Sequence, residues 1–166
     1  MSGDIDYLPF IPNPDVDIKH PSSFGLREVA EYMVDYEAEV YRRSHKPTHL
    51  YPSRLGCVYA FGSREDALMA SKQYGYRMSD LKRFVINFAS EPRVVKVNMQ
   101  VVTQMWDIGP RQLFKEGDRD KIWAHYWSGG GALPIETVLS EEGPEILDHG
   151  VIWEYLIDGQ VQLAEE

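Results

Sequence analysis

Residues 52–75 read PSRLGCVYAFGSREDALMASKQYG, and this stretch decides the fold class. Leu55 to Phe61 is a short apolar and aromatic run that meets Gly62 and Ser63, which predicts a buried strand rather than a helix. Ser63 then opens a helix. Asp66 stands three residues on with Glu65 in the first turn, Ala67, Leu68, Ala70, Ser71 and Tyr74 supply a small apolar face, and Gly75 ends it. The unit is strand, tight turn, helix.

Upstream, the spacing of Leu26, Val29, Ala30, Met33, Val34, Val40 and Tyr41, interrupted by Glu37, predicts a helix over about Leu26 to Ser44. It is followed by a loop that Pro47 and Pro52 keep from being helical. Residues 1–25 carry Pro9, Pro12, Pro14 and Pro21 and read as an arm, with one short strand expected at Tyr7 to Ile11. Downstream, Arg83 to Phe88 and Arg93 to Met99 predict two strands, and the aromatic stretch Gln100 to Ser128, broken by Gly109, Pro110 and Gly117, predicts short helices. Val151 to Ile157, Asp158-Gly159 and Gln160 to Leu163 predict a terminal hairpin with a two-residue turn, pairing Ile157 with Gln160, Leu156 with Val161 and Glu154 with Leu163. Strands and helices that alternate irregularly in one chain of 166 residues predict a single α+β domain over 26–166, with a split, mostly antiparallel sheet and flanking helices.

Composition narrows the function. With 43% hydrophobic and 26% charged residues the chain is globular, and a net charge of −9 argues against binding duplex DNA by bulk electrostatics. Cys57 is the only cysteine, which excludes an internal disulfide and a thiolate-rich zinc site, and its place in an apolar strand predicts an inert thiol. The five histidines show no paired metal-ligand spacing, and Ser128 to Gly131 lacks the residues that complete a phosphate loop, so it reads as a flexible turn. Neither a signal-like start nor a membrane-length apolar run is present, so the expectation is a cytoplasmic protein with no membrane partner.

Two features stand out chemically. Strand alternation places Glu154 on the face shared by Ile152 and Leu156, where a carboxylate is expensive unless it is paired or lines a cleft. It is either a catalytic group at a cleft floor or a glutamate near a sheet edge that reaches solvent or an arginine. The second feature is charge asymmetry: Arg42, Arg43, Lys46 and Arg54 cluster without an acid, while residues 132–166 contain no Lys or Arg. Such a loop is either a solvated face or a seat for a nucleotide pyrophosphate, which arginine suits by its fork of donors.

Taken in order, PSRLGCVYAFGSREDALMASKQYG, FVINFASEPRVVKVNM and VIWEYLIDGQVQL resemble the core of the ADP-ribosyltransferase superfamily, over roughly Pro52 to Leu163. The shared pieces are the strand and short helix with Ala67, Ala70 and Tyr74, the strands within Phe84 to Asn98, and the late Glu154-Tyr155-Leu156-Ile157. The resemblance implies an ADP-ribosyltransferase-like fold and the transfer of ADP-ribose from NAD, as substrate, to a protein or nucleic-acid acceptor. It assigns Glu154 to stabilising the ribosyl cation, Ser53 to the ribose or nicotinamide side, Arg54 to a phosphate, and Tyr59 or Tyr74 to stacking, with no metal. The family's usual Arg or His on the first core strand has no counterpart in Tyr7 to Ile11; His20 and Arg54 are the substitutes. The rival expectation is a noncatalytic acidic interaction or inhibitor protein that binds a basic surface of a nucleic-acid enzyme, resting on the net charge of −9.

Overall fold

The computed structural model describes residues 23–108, 117–140 and 143–164. The arm over 1–22, including the expected strand at Tyr7 to Ile11, lies outside the described residues. The elements run α1 (Ser23–His45), β1 (Val58–Ala60), α2 (Arg64–Tyr74), β2 (Phe84–Ile86), β3 (Arg93–Asn98), α3 (Met99–Ile108), α4 (Asp118–Trp127), β4 (Ile135–Ser140), β5 (Gly143–Leu147), β6 (Trp153–Asp158) and β7 (Val161–Leu163). This is one small α+β domain whose described strand pairs are all antiparallel. Among the described residues no helix is long and apolar enough to cross a membrane.

The central sheet has the order β1-β6-β3. β6 pairs with β1 through Val58↔Ile157 and Ala60↔Tyr155, and with β3 from Arg93↔Asp158 to Asn98↔Trp153. With both of its edges hydrogen-bonded, β6 has none left for β7, which pairs instead with β2 through Phe84↔Leu163 and Ile86↔Val161. The expected terminal hairpin and its register are therefore wrong. Gly159 serves a close approach instead: a Cβ there would lie 2.6 Å from the Pro92 Cβ. β2 and β3 likewise go to separate sheets, and β4 and β5 form a hairpin of their own that the glycine- and acid-rich sequence did not announce.

The strand-turn-helix unit forms in the order read, but its strand is not the buried one expected: Val58 and Tyr59 are exposed at the edge of the sheet. The Ser63 hydroxyl accepts from the Asp66 amide, and Gly75 adopts φ 76 at the helix end, a conformation that costs a glycine little. The strand is shorter than Leu55 to Phe61 because Arg54–Gly56 form a 3-10 turn ahead of it.

Helix α1 begins three residues before the expected domain boundary, and its buried face is rotated from the expected one. Val34, Ala38, Glu39 and Arg42 are buried, whereas Met33 and Val40 are exposed; the side chains of Leu26, Val29 and Ala30 lie outside the described residues. The rotation has a polar cause: the Trp127 indole donates to the Ala38 carbonyl at 2.9 Å, and Glu39 receives Arg42 and Arg43. Between α1 and the sheet lies the core of Val97, Val101, Met105, Ile108, Trp123, Tyr126, Trp127 and Leu156.

Candidate functional site

Glu154 lies mid-strand in β6, opposite Val97 of β3, and points to the same buried side as Ile152 and Leu156. Its exposure is 4%, and Arg54, entering from the turn before β1, is 5% exposed. The sequence placed Glu154 on the right face, and the arginine partner it allowed is found, in the central strand of the sheet rather than at its edge.

Arg54 is the hub. One Nη donates to Glu154 Oε1 at 2.5 Å and to the Tyr126 hydroxyl at 2.7 Å, and Nε donates to Asp35 Oδ1 of α1 at 2.7 Å. The Tyr126 hydroxyl, from α4, also donates to Glu154 Oε1 at 3.4 Å. Neither bond to Glu154 uses Oε2. The guanidinium lies over the Tyr59 ring at 5.0 Å, while the Tyr59 hydroxyl donates to the Arg54 carbonyl. Four elements thus converge on one guanidinium.

The electrostatics follow from burial and charge. Burial penalises the Arg54 cation, yet Glu154, Tyr126 and Asp35 outweigh it and hold its pKa well above the ordinary value. Burial drives the Tyr126 hydroxyl well above a normal phenol, against the opposing pull of Arg54. Tyr59 is raised for the same reason; the ring leaves 42% of the residue exposed, but its hydroxyl is the inward end. Cys57 is buried as expected, and desolvation pushes its thiol up to about 12.

Of the residues expected at a site, Glu154, Arg54 and Tyr59 come together. Arg54 is engaged by two carboxylates, where the sequence reading had it free for a phosphate. Ser53 turns toward Glu39 of α1, whose carboxyl burial would raise but which Arg42, Arg43 and the Ser53 hydroxyl hold below the usual range. Tyr74 stands between α2 and α3, its hydroxyl donating to Gln100 Oε1 at 2.9 Å and meeting Thr103 Oγ1 at 2.5 Å; burial raises its pKa against the lowering effect of the Thr103 bond. Sequence reasoning missed Asp35 and Tyr126. Asp35 sits one residue from Val34 on the helical face that turned inward, and Tyr126 falls in the aromatic stretch where periodicity was unreadable.

Ser128 to Gly131 form a turn, as read, and its glycines also serve packing. Gly129 has φ 73, and a Cβ on Gly130 would fall 2.4 Å from the His125 ring, whose Nε2 lies 3.1 Å from the Gly131 carbonyl. The glycines let the backbone close over an imidazole. Among the described residues no group of three or more His, Cys, Asp or Glu is arranged to hold a metal ion. Compared with protein-family models and with curated proteins, the chain matches none.

Proposed function

We propose that this protein transfers ADP-ribose from NAD to a macromolecular acceptor, with release of nicotinamide, and that Glu154 is the carboxylate that stabilises positive charge developing on the ribose. The observation that carries the reading is a carboxylate in the middle of a central strand, 4% exposed and held by a buried arginine and a tyrosine. Two charges removed from water contribute little to stability compared with apolar side chains of like volume; unlike Glu39, equally buried but bonded through both oxygens to Arg42 and Arg43, Glu154 meets Arg54 and Tyr126 through Oε1 alone, which supports a role in chemistry that needs a charge. The order of strand, short helix and late Glu154-Tyr155-apolar segment supports the same reading.

In this scheme Arg54 positions Glu154, and Asp35 and Tyr126 fix Arg54, so that the carboxylate is oriented before the ribose-to-nicotinamide bond lengthens. A preorganised charge of this kind contributes about 3 to 4 kcal/mol to the transition state. Glu154 Oε2, outside the bonds to Arg54 and Tyr126, is the oxygen that would face the sugar. The phosphate role passes from Arg54 to other cations, and the stacking role from Tyr59, whose ring is taken by the guanidinium.

Labelled NAD with a cell extract tests the proposal. Wild type is expected to release nicotinamide and label an acceptor, and Glu154→Gln to lower release by at least about 100-fold in protein that still melts cooperatively. Equal release by the folded variant would remove Glu154 from the chemistry. Partner binding that needs no NAD, survives Glu154→Gln and falls steeply with salt would favour the acidic inhibitor instead.

A further inference from the structure

The stretch from Lys72 to Arg83 is a second basic segment in addition to the one from Arg42 to Arg54. It holds four cations, Lys72, Arg77, Lys82 and Arg83, against one acid, Asp80, in a protein of net charge −9. All four cations are exposed. The stretch folds back on itself: the 3-10 turn Met78–Asp80 packs on α2, the Ser71 hydroxyl donates to the Tyr76 carbonyl at 2.6 Å, and Arg77 pairs with Asp80. Lys82 and Arg83 lead into β2 and are anchored where the Ala164 amide donates to the Arg83 carbonyl.

An aromatic pair sits in the same stretch. Tyr74 and Tyr76 have ring centroids 5.9 Å apart at 30°, and Tyr76 is 45% exposed. Tyr74 cannot shift freely, because Gln100 and Thr103 hold its hydroxyl and Gln73 and Gln100 exchange amide bonds beside it. Tyr76 therefore lies on a fixed neighbour, with cations on both sides along the chain.

We propose that this surface binds single-stranded nucleic acid, one base stacking on Tyr76 and the backbone phosphates meeting Lys72, Lys82 and Arg83. Stacking on an aromatic ring with cations at hand for the backbone is the chemistry by which single strands are held without sequence preference. A duplex keeps its bases stacked inside and would bring many more phosphates against an otherwise acidic protein, so it gains nothing from Tyr76 and is repelled elsewhere. An acidic peptide would use the cations and leave the ring idle. The binding claim stands independently of NAD chemistry; where both hold, the bound strand is the acceptor.

The experiment is fluorescence anisotropy of a labelled 12-residue oligo-dT at low salt, without NAD, on wild type, Tyr76→Ala, the double variant Lys82→Gln/Arg83→Gln, and Lys121→Gln as a control on α4. Wild type should bind with a log-affinity against log-salt slope near −2, as expected for about three phosphates on a single strand. Tyr76→Ala should weaken binding about tenfold with the slope unchanged, and the double variant should bring the slope to about −1. Lys121→Gln should change nothing. The proposal is overturned by absence of binding, by binding that both variants leave intact, by polyglutamate competing as well as the oligonucleotide, or by NAD displacing the strand at equal phosphate concentration. A protein that binds the strand but releases no nicotinamide would end the transferase reading and leave this one standing.

Discussion

Two buried polar regions of this molecule solve different problems. Around Asn98, at the end of β3, every partner is backbone: Nδ2 donates to the Gly131 and Gly150 carbonyls at 3.0 Å each, and Oδ1 accepts from the Gln100 and Ile152 amides at 3.1 Å each. One neutral side chain thereby fastens two loops to the start of α3 and the entry to β6. Around Arg54 the partners are side chains, and three of them are the charges or hydroxyls of Asp35, Glu154 and Tyr126. A neutral amide with all its bonds made is an inexpensive way to hold a fold. A buried ion cluster is a costly one, and this contrast is the basis on which we propose a structural role for Asn98 and a chemical one for Glu154.

The largest effect expected from breaking this contrast is at Arg54. Arg54→Met leaves Glu154 buried without its cation and should cost about 3 to 5 kcal/mol in a denaturant melt, while Arg54→Met/Glu154→Leu should recover only part of that loss, since the buried Tyr126 hydroxyl then lacks both partners. Asp35, already 22% exposed at its side chain, can turn to water in both. Asn98→Ala should follow at about 3 kcal/mol, since it strands two buried amides and two carbonyls, and no second substitution in the neighbourhood should rescue it.

Alkaline pH sharpens the difference, because the charged region carries raised pKa values and the neutral one does not titrate. Desolvation raises the folded Cys57 thiol to about 12, above the roughly 8.5 of an unfolded thiol, so its contribution to stability is complete below that pH and lost as pH rises toward 12. Tyr59 and Tyr126 act in the same direction. Melts from pH 8 to 11 should show stability falling by up to about 1.4 kcal/mol per unit from the thiol, and less steeply in Cys57→Ala. The smallest effect belongs to Gln104, whose Nε2 serves the Leu133 and Leu147 carbonyls at 2.8 and 2.9 Å while its buried Oε1 has no partner among the described residues. Gln104→Leu loses two bonds but removes an orphaned acceptor, and should cost only about 1 kcal/mol.

The sequence was most legible where local chemistry decides structure. Ser63 and Gly75 mark the ends of α2 because a hydroxyl cap and a left-handed turn are local requirements, and the inward face of β6 follows from the period of two. It was least legible where tertiary partners decide. Asp158-Gly159 looks like a hairpin turn, yet both edges of β6 were claimed by strands from far along the chain, so β7 had to join β2. The inward face of α1 was misread because Glu39 and Arg42, polar in a helical wheel, are buried by pairing with each other. Asp35 and Tyr126 became visible only when α1 and α4 were brought to Arg54, at sequence distances of 19 and 72 residues.

The most direct test of the central claim compares nicotinamide release from NAD by wild type and by Arg54→Met/Glu154→Leu, each with its melting curve. The account predicts a double variant that still melts cooperatively, is more stable than Arg54→Met, and whose release falls by at least about 100-fold. A folded double variant that releases nicotinamide as fast as wild type, or a wild type that releases none, would contradict it.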